Sequence, residues 1–133
     1  MKPILVSGKR KRAIARATVR PGSGVIRINR LLIENYGPEM SRLKLKEPLI
    51  LAGEIANKVN INIRVLGGGI SSQADASRLA IAKGLVEFSK DEKLRQGFLS
   101  YDRSLLVADV RRKEPAKPNR HGQARSKVQK SYR

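Results

Sequence analysis

The fold class is decided by one stretch of the chain, Ile61-Asn62-Ile63-Arg64-Val65-Leu66-Gly67-Gly68-Gly69-Ile70-Ser71-Ser72-Gln73-Ala74-Asp75. Apolar and polar residues alternate from 61 to 65, which predicts a half-buried strand. The three glycines end this strand. The next four polar and small residues, 72–75, match a capping box, in which side chains bind the free amides of a first helical turn. A strand that leads through a short turn into a helix over about 72–89 indicates an α/β fold.

Two more strands are predicted upstream of this stretch. Ala13, Ala15, Ala17 and Val19 share one face of a strand over 13–19, and Arg16 lies on the other face. The run 21–24, Pro-Gly-Ser-Gly, is a turn signal, and a second strand follows over 25–29. We expect these two strands to pair as a hairpin.

The remaining elements are helices, a last strand and a tail. Residues 39–46 carry leucines at helical spacing, and Pro48 is expected in the first turn of a helix that ends near Lys58. Residues 91–100 predict a shorter helix, and the apolar run 105–108 predicts the last of about four strands. From Arg111 onward the chain has no apolar period, so it cannot bury enough surface to offset the entropy lost on ordering. We therefore expect a globular domain over 1–110 and an extended basic tail over 111–133 that is disordered without RNA.

The charge is large and lies mainly at the two ends of the chain. The 133 residues include 29 Lys and Arg against 11 Asp and Glu, a formal net charge of +18. Residues 1–20 hold seven cations and no anion, and residues 111–133 hold nine cations and one anion. Such a chain repels itself, and a polyanion relieves the repulsion. Nucleic acid is the first candidate partner and an anionic membrane surface is the second.

Several classes of chemistry are disfavoured by the composition. Without cysteine there is no disulfide, no thiolate zinc site and no thiol nucleophile, which fits a reducing cytoplasm. No apolar run approaches the roughly 20 residues of a spanning helix. The only histidine, His121, lies in the tail without a carboxylate cluster. No predicted strand carries an aromatic residue, so we expect recognition of RNA shape and phosphates rather than base stacking.

The triglycine run 67–69 is the most enzyme-like feature, and three interpretations of it stay open. It fails the dinucleotide fingerprint, because Ser72 stands where a third spaced glycine belongs, and it fails the P-loop pattern. The run 67–69 could be a turn that lets two backbones come close, a point of close approach to an RNA phosphate, or a nucleotide site.

An ordered set of segments resembles one family, small-subunit ribosomal protein nine, over essentially the whole chain. The segments are Gly8-Lys9-Arg10-Lys11-Arg12-Ala13-Ile14-Ala15-Arg16-Ala17, Gly22-Ser23-Gly24 with Ile26-Arg27-Ile28-Asn29, Val65 to Ala74 with its glycines, Gly97-Phe98-Leu99-Ser100-Tyr101-Asp102, and the closing Ser131-Tyr132-Arg133. The Ser-Tyr-Arg ending, the Leu-Leu-Val-Ala-Asp run and the short N-terminus resemble the archaeal type.

The resemblance implies a two-layer α/β sandwich with a mixed sheet, helices on one face and a left-handed crossover, as in the second domain of ribosomal protein S-five. It implies a place on the head of the small ribosomal subunit, and therefore in the cytoplasm, with small-subunit rRNA, the peptidyl-site tRNA and neighbouring head proteins as partners. It implies no enzyme activity, cofactor, metal, membrane or small-molecule substrate. The candidate rRNA contacts are Lys9, Arg10, Lys11, Arg12, Arg16, Gly67, Gly68, Gly69, Arg111, Arg112, Lys113, Lys117, Arg120, Arg125 and Lys127. The candidate tRNA contacts are Lys130, Tyr132, which either stacks or is solvated, and Arg133, the family's terminal arginine.

Two other function classes are compatible with parts of the sequence. A free-standing nucleic-acid-binding protein, such as a nucleoid factor, would carry a similar charge and bind without a ribosome. An enzyme of the nucleotide-kinase kind would share the α/β sandwich, which is an argument from fold analogy alone.

Overall fold

The computed structural model of the chain describes residues 2–126 and contains a mixed five-stranded sheet with three α-helices. The strands are β1 (Ile4–Arg10), β2 (Ala13–Pro21), β3 (Ile26–Ile28), β4 (Leu31–Leu32) and β5 (Val59–Leu66). The helices are α1 (Glu39–Ala52), α2 (Ile70–Ser89) and α3 (Glu92–Tyr101), with 3-10 turns at Ile33–Asn35, Gly53–Lys58 and Arg103–Leu105. The α/β class is confirmed. No helix within residues 2–126 is both long enough and apolar enough to cross a membrane.

The sheet has the order β1-β2-β5-β3-β4, with β5 at its centre. β2 pairs antiparallel with both β1 and β5, whereas β3 pairs parallel with β5. A parallel pair needs a crossover connection, and here the chain passes from β3 through β4 and α1 to β5. The left-handed crossover that the family resemblance implies would be formed by this connection.

One face of the sheet is buried under the helices and the other is open. On β2 the alternating residues Ala13, Ala15, Ala17 and Val19 are all at most 1% exposed, and α2 packs on this side against β1, β2 and β5. α1 and α3 contact α2 rather than forming a second cover on the opposite face. The predicted buried face of β2 is therefore confirmed, and the small alanines explain how α2 can lie close to the sheet.

The predicted hairpin between residues 13–19 and 25–29 is wrong. β5 lies between the two strands, and β3 pairs with β5 and β4 instead. The turn at 21–24 binds the start of β5, because Gly22 N donates to Lys58 O and Gly24 N to Val59 O, both at 2.9 Å. The Asn60 side chain adds two acceptor contacts to this turn, to Ser23 N at 3.0 Å and to Val25 N at 3.1 Å.

Pro48 does not begin a helix as predicted. It lies inside α1 and is fully buried, although a proline there lacks the amide that would bond to the carbonyl of Lys44. α1 ends at Ala52, with Gly53 as its C-cap, and the segment predicted to continue as an α-helix to Lys58 is a 3-10 turn.

The capping box and the last strand are also wrong. α2 begins two residues earlier, at Ile70, with Gly69 as an N-cap that makes no side-chain bond. Asp75 instead forms an ion pair with Lys44, at 3.3 Å. The run 105–108 contains the end of a 3-10 turn that buries Leu105 completely, so its apolar character serves the core and not a strand.

β1 was not predicted from local pattern, and it makes the sheet five-stranded rather than about four-stranded. Gly8 occupies an inward position of β1, where a side chain would meet the carbonyl oxygen of Ala76 on α2. Because glycine has no side chain, the alternation of apolar and polar residues is interrupted at Gly8, and the sequence pattern therefore did not predict this strand. The helix at 91–100 is confirmed as α3, with Asp91 accepting from Lys93 N at 2.9 Å.

Candidate nucleic-acid interface

A cleft of about 1430 Å³ lies where the β1–β2 turn, the glycine turn at residues 67–69 and the segment 111–124 meet. We call it the basic cleft. It is lined by Arg10, Lys11, Arg12, Gly68, Gly69, Ser72, Arg111, Arg112, Lys113, Glu114, Pro115, Ala116, Gly122, Gln123 and Ala124. Six of these side chains are cationic and one is acidic, so the cleft concentrates positive charge drawn from both ends of the chain.

The β1–β2 turn presents two of the cations. Arg10 and Ala13 are register partners, so only Lys11 and Arg12 connect the two strands. Lys11 has a φ of 53°, in the left-handed region that non-glycine residues adopt infrequently. Both side chains are exposed and line the cleft. The tight turn therefore holds two positive charges at the end of a rigid sheet.

The glycine turn fits closely against this β1–β2 turn. Gly67 and Gly68 have φ values of 79° and 66°, a region that favours glycine. A Cβ on Gly67 would lie 2.5 Å from the carbonyl oxygen of Arg12. Gln73 closes the turn by donating from Nε2 to Gly67 O at 3.1 Å. The structure thus supports the interpretation that the glycines let two backbones come close, and contact with rRNA stays a prediction.

α2 adds a backbone donor site to the cleft. Its N-cap, Gly69, provides no side-chain acceptor, and no acidic residue stands in the first turn. The first amides of a helix have no intrahelical partner, and the helix dipole favours an anion there. Since Gly69 and Ser72 line the cleft, this 20-residue helix points its positive end at the same space as the cations.

Asp109 links the end of β1 to the start of the segment 111–126. Its carboxylate lies 3.5 Å from Arg10 Nη1 and 2.7 Å from Arg111 Nη2. Hydrogen bonds from Arg111 hold the pKa of Asp109 well below its ordinary value, so it stays ionised. One carboxylate thereby holds residue 111 beside residue 10, although the two are 101 positions apart in sequence.

The carboxylate of Glu114 is likewise bound by two cations. It accepts from Lys117 at 2.7 Å and from Arg125 at 2.8 Å, and these bonds lower the pKa of its carboxyl group. By contrast, Lys11, Arg12, Arg112 and Lys113 take part in none of the ion pairs formed within residues 2–126. Four cleft cations are therefore available for an external anion.

The other sequence-predicted residues lie elsewhere. Lys9 is exposed on β1, and Arg16 is exposed on the open face of the sheet. Lys117, Arg120 and Arg125 lie in the turn-rich segment 111–126. Lys127, Lys130, Tyr132 and Arg133 are outside the described residues. Sequence reasoning missed Asp109, because nothing local indicates that it pairs with Arg10.

No group of three or more His, Cys, Asp or Glu side chains in residues 2–126 could hold a metal ion. His121 is exposed and has a φ of 54° in a turn.

Comparison with known proteins gives a consistent result. The family model described as "Ribosomal protein S9/S16" matches residues 8–133. Three similar proteins, from Methanococcus maripaludis strains C7, C5 and S2, carry the name "Small ribosomal subunit protein uS9". Each is 52% identical over 134 residues, with 100% of both chains covered.

Proposed function

The chain belongs to the ribosomal protein S9/S16 family, and on that premise we propose that its basic cleft binds the phosphate backbone of small-subunit rRNA. It is a ribosomal protein of the small subunit with a structural role in translation. The relatives are archaeal. They bear the names of ribosomal proteins, and those names favour a role in binding over one in catalysis.

The observation that carries the proposal is the excess of cations in the basic cleft. Six cationic side chains and one end of α2 face a space that contains a single acidic residue, Glu114, already engaged by two cations. Phosphate oxygens bind to Arg and Lys side chains, to backbone amides and to helix N-termini, and the cleft offers each of these. Released counterions contribute to such binding.

The aromatic residues support phosphate and shape recognition over base stacking. Tyr36 and Phe98 are buried, and burial raises the pKa of the Tyr36 hydroxyl. Phe88 is partly buried, and Tyr101 is exposed on α3, away from the strands. The strands themselves carry no aromatic residue. Stacking platforms for single-stranded RNA place aromatic side chains on a sheet face, and this sheet has none. The sheet therefore favours binding to the backbone of folded RNA.

For the tail, we propose that residues 111–133 follow rRNA from the basic cleft and that Lys130, Tyr132 and Arg133 contact tRNA in the peptidyl site. Residues 111–126 contain turns and no helix or strand. A chain of 23 residues, counted from 111 to 133, can reach at most roughly 75 Å when fully extended at about 3.3 Å per residue. The phosphates of the RNA then neutralise the charge of the tail, and the released counterions contribute to binding.

Incorporation into small subunits tests the rRNA role. Lys11→Gln/Arg12→Gln removes one Lys and one Arg from the cleft, and Lys93→Gln/Arg95→Gln removes the same charges from the exposed surface of α3. In sucrose gradients of cells that express tagged chains beside the resident protein, the cleft variant should lose the competition for small subunits. The α3 variant should compete like the unchanged chain. Equal incorporation of all three would contradict the proposal.

Truncation tests the tRNA role separately. Deletion of residues 131–133 should leave small subunits assembled and speed tRNA dissociation from the peptidyl site. One arginine–phosphate contact contributes about 1.5–3 kcal/mol before the cost of ordering the tail. The effect should be similar for different tRNAs, since a phosphate contact carries no base information. Identical dissociation rates from truncated and intact subunits would exclude the contact.

A further inference from the structure

The face of the sheet that carries no helix is a second cationic surface. Its central residues alternate with the buried ones on β2, β3 and β5, and all of them are exposed except Thr18, which is partly buried. We call this surface the open face and define it by Arg16, Thr18, Arg20, Arg27, Asn62 and Arg64. Of these, only Arg16 was singled out from the sequence. Arg27 and Arg64 became candidates once the strand order was known.

The register brings these cations together. Arg16 on β2 and Arg64 on β5 are direct antiparallel partners, and Arg27 on β3 is the parallel partner of Asn62. Directly opposed residues have Cβ atoms about 4.5–5.5 Å apart, and like charges at that separation destabilise a sheet. The five strands contain no Asp or Glu. None of the ion pairs formed within residues 2–126 involves Arg16, Arg27 or Arg64.

An arginine pair opposed in this way lowers the stability of the free chain, and a bound anion relieves the repulsion. The remaining members of the open face fit such a ligand, since hydroxyl, amide and guanidinium groups bind phosphate and sugar oxygens. The absence of aromatic residues from the strands removes base stacking. Double-stranded RNA is recognised through phosphates and 2′-hydroxyl groups rather than through splayed bases.

We infer that the open face binds the sugar–phosphate backbone of an rRNA duplex, as a contact separate from the basic cleft. This inference rests on the proposed function, because it takes rRNA as the polyanion. Arg16 on β2 lies four residues after Arg12 of the β1–β2 turn, at most about 13 Å at strand geometry. The two surfaces are therefore near enough to hold neighbouring parts of one folded RNA. An acidic segment of a neighbouring protein is the competing occupant.

The absence of cysteine from the chain allows a direct test. Ser7→Cys places a thiol beside Arg16, its partner on β2, and Ser100→Cys makes the same change on exposed α3. An iron chelate tethered to each thiol in reconstituted small subunits generates hydroxyl radicals locally. From position 7 we expect rRNA cleavage on both strands of one helix, at sites that position 100 does not cleave. Cleavage confined to single-stranded rRNA, to protein, or to the sites cut from position 100 would overturn the inference.

A second measurement separates this inference from the proposed function. Arg16→Gln/Arg64→Gln should lower the log–log salt slope of binding to archaeal small-subunit rRNA by about one to two, since each neutralised phosphate contributes roughly 0.7–0.9. It should also raise the thermal midpoint of the RNA-free chain, because the opposed charges are gone. Lys93→Gln/Arg95→Gln is the control and should change neither quantity.

The outcomes distinguish the two surfaces. If Lys11→Gln/Arg12→Gln lowers the slope and Arg16→Gln/Arg64→Gln does not, the cleft binds rRNA and the inference about the open face is wrong. If only the open-face variant lowers the slope, the inference stands and the cleft proposal fails. If neither does, both fail. In a variant that combines all four substitutions, we expect the decreases in the salt slope to add.

Discussion

Replacing Gly67 by alanine should destabilise the free chain strongly, because the glycine turn leaves no room for a side chain. Gly67 has a φ of 79°, and its added Cβ would lie 2.5 Å from the carbonyl oxygen of Arg12. The left-handed backbone costs an alanine about 1–2 kcal/mol. Overpacking against a backbone atom adds about 1–3 kcal/mol. The expected loss in the free energy of unfolding is therefore about 2–5 kcal/mol.

Urea denaturation of the RNA-free chain, followed by far-UV circular dichroism, measures this loss. With a slope of about 2 kcal/mol per molar urea, even the smallest expected loss lowers the midpoint by about 1 M. Gly97→Ala is the matched control: Gly97 lies within α3, and nothing stands within 4 Å of its added Cβ. That change should stabilise the chain by about 0.5–1 kcal/mol. A Gly67→Ala midpoint at or above that of the unchanged chain would refute the steric reasoning.

Two further predictions concern the ion pairs that join the helix layer to the end of the domain. Arg78→Lys should lower the free energy of unfolding by about 1–3 kcal/mol in denaturant titrations, because one ammonium cannot replace the guanidinium bonds to Glu47, Asp102 and Ser104. An unchanged midpoint would contradict this and show that an ammonium serves as well as the guanidinium. Although partial burial alone would raise it, hydrogen bonds from Ser104 and Arg78 lower the pKa of Asp102 below its ordinary 3.8. The stability that the ionised Asp102 contributes to the folded chain is present above pH 3.8 and is lost as the pH falls through the lowered pKa. The free energy of unfolding of Asp102→Asn should therefore fall less steeply than that of the unchanged chain between about pH 4 and 2. Parallel curves for the two chains would contradict this.

The parts of the fold that could be predicted are those whose signal is local. The alternation in β2 and β5 and the periodicity of α2 and α3 depend on neighbours within a few residues, and these elements were found. The order of the strands depends on contacts made later in the chain. Asn60 holds the turn at 21–24 through two side-chain bonds. Nothing at 21–24 reveals this, so a local hairpin was the natural prediction.

The candidate site divides in the same way. The charge at the two ends was visible in the sequence, and both ends do contribute to the basic cleft. Their meeting point was not visible, because Asp109 binds both Arg10 and Arg111. The role of Gly67 and Gly68 was one of three interpretations, and the choice required the position of the Arg12 carbonyl. The pairing of Arg16 with Arg64 likewise needs the register of β2 against β5.

The most direct test of the central claim, that the basic cleft holds rRNA, is the chemical reactivity of its lysines in free and assembled chains. Acetylation rates of Lys11, Lys113 and Lys93 can be measured by mass spectrometry for the RNA-free protein and for the protein in small subunits. Lys11 and Lys113 line the cleft and Lys93 lies on α3. Assembly should slow acetylation of the two cleft lysines by at least about tenfold relative to Lys93, since that factor corresponds to only about 1.4 kcal/mol of protection. Cleft lysines that stay as reactive as Lys93 in the assembled subunit would contradict the account.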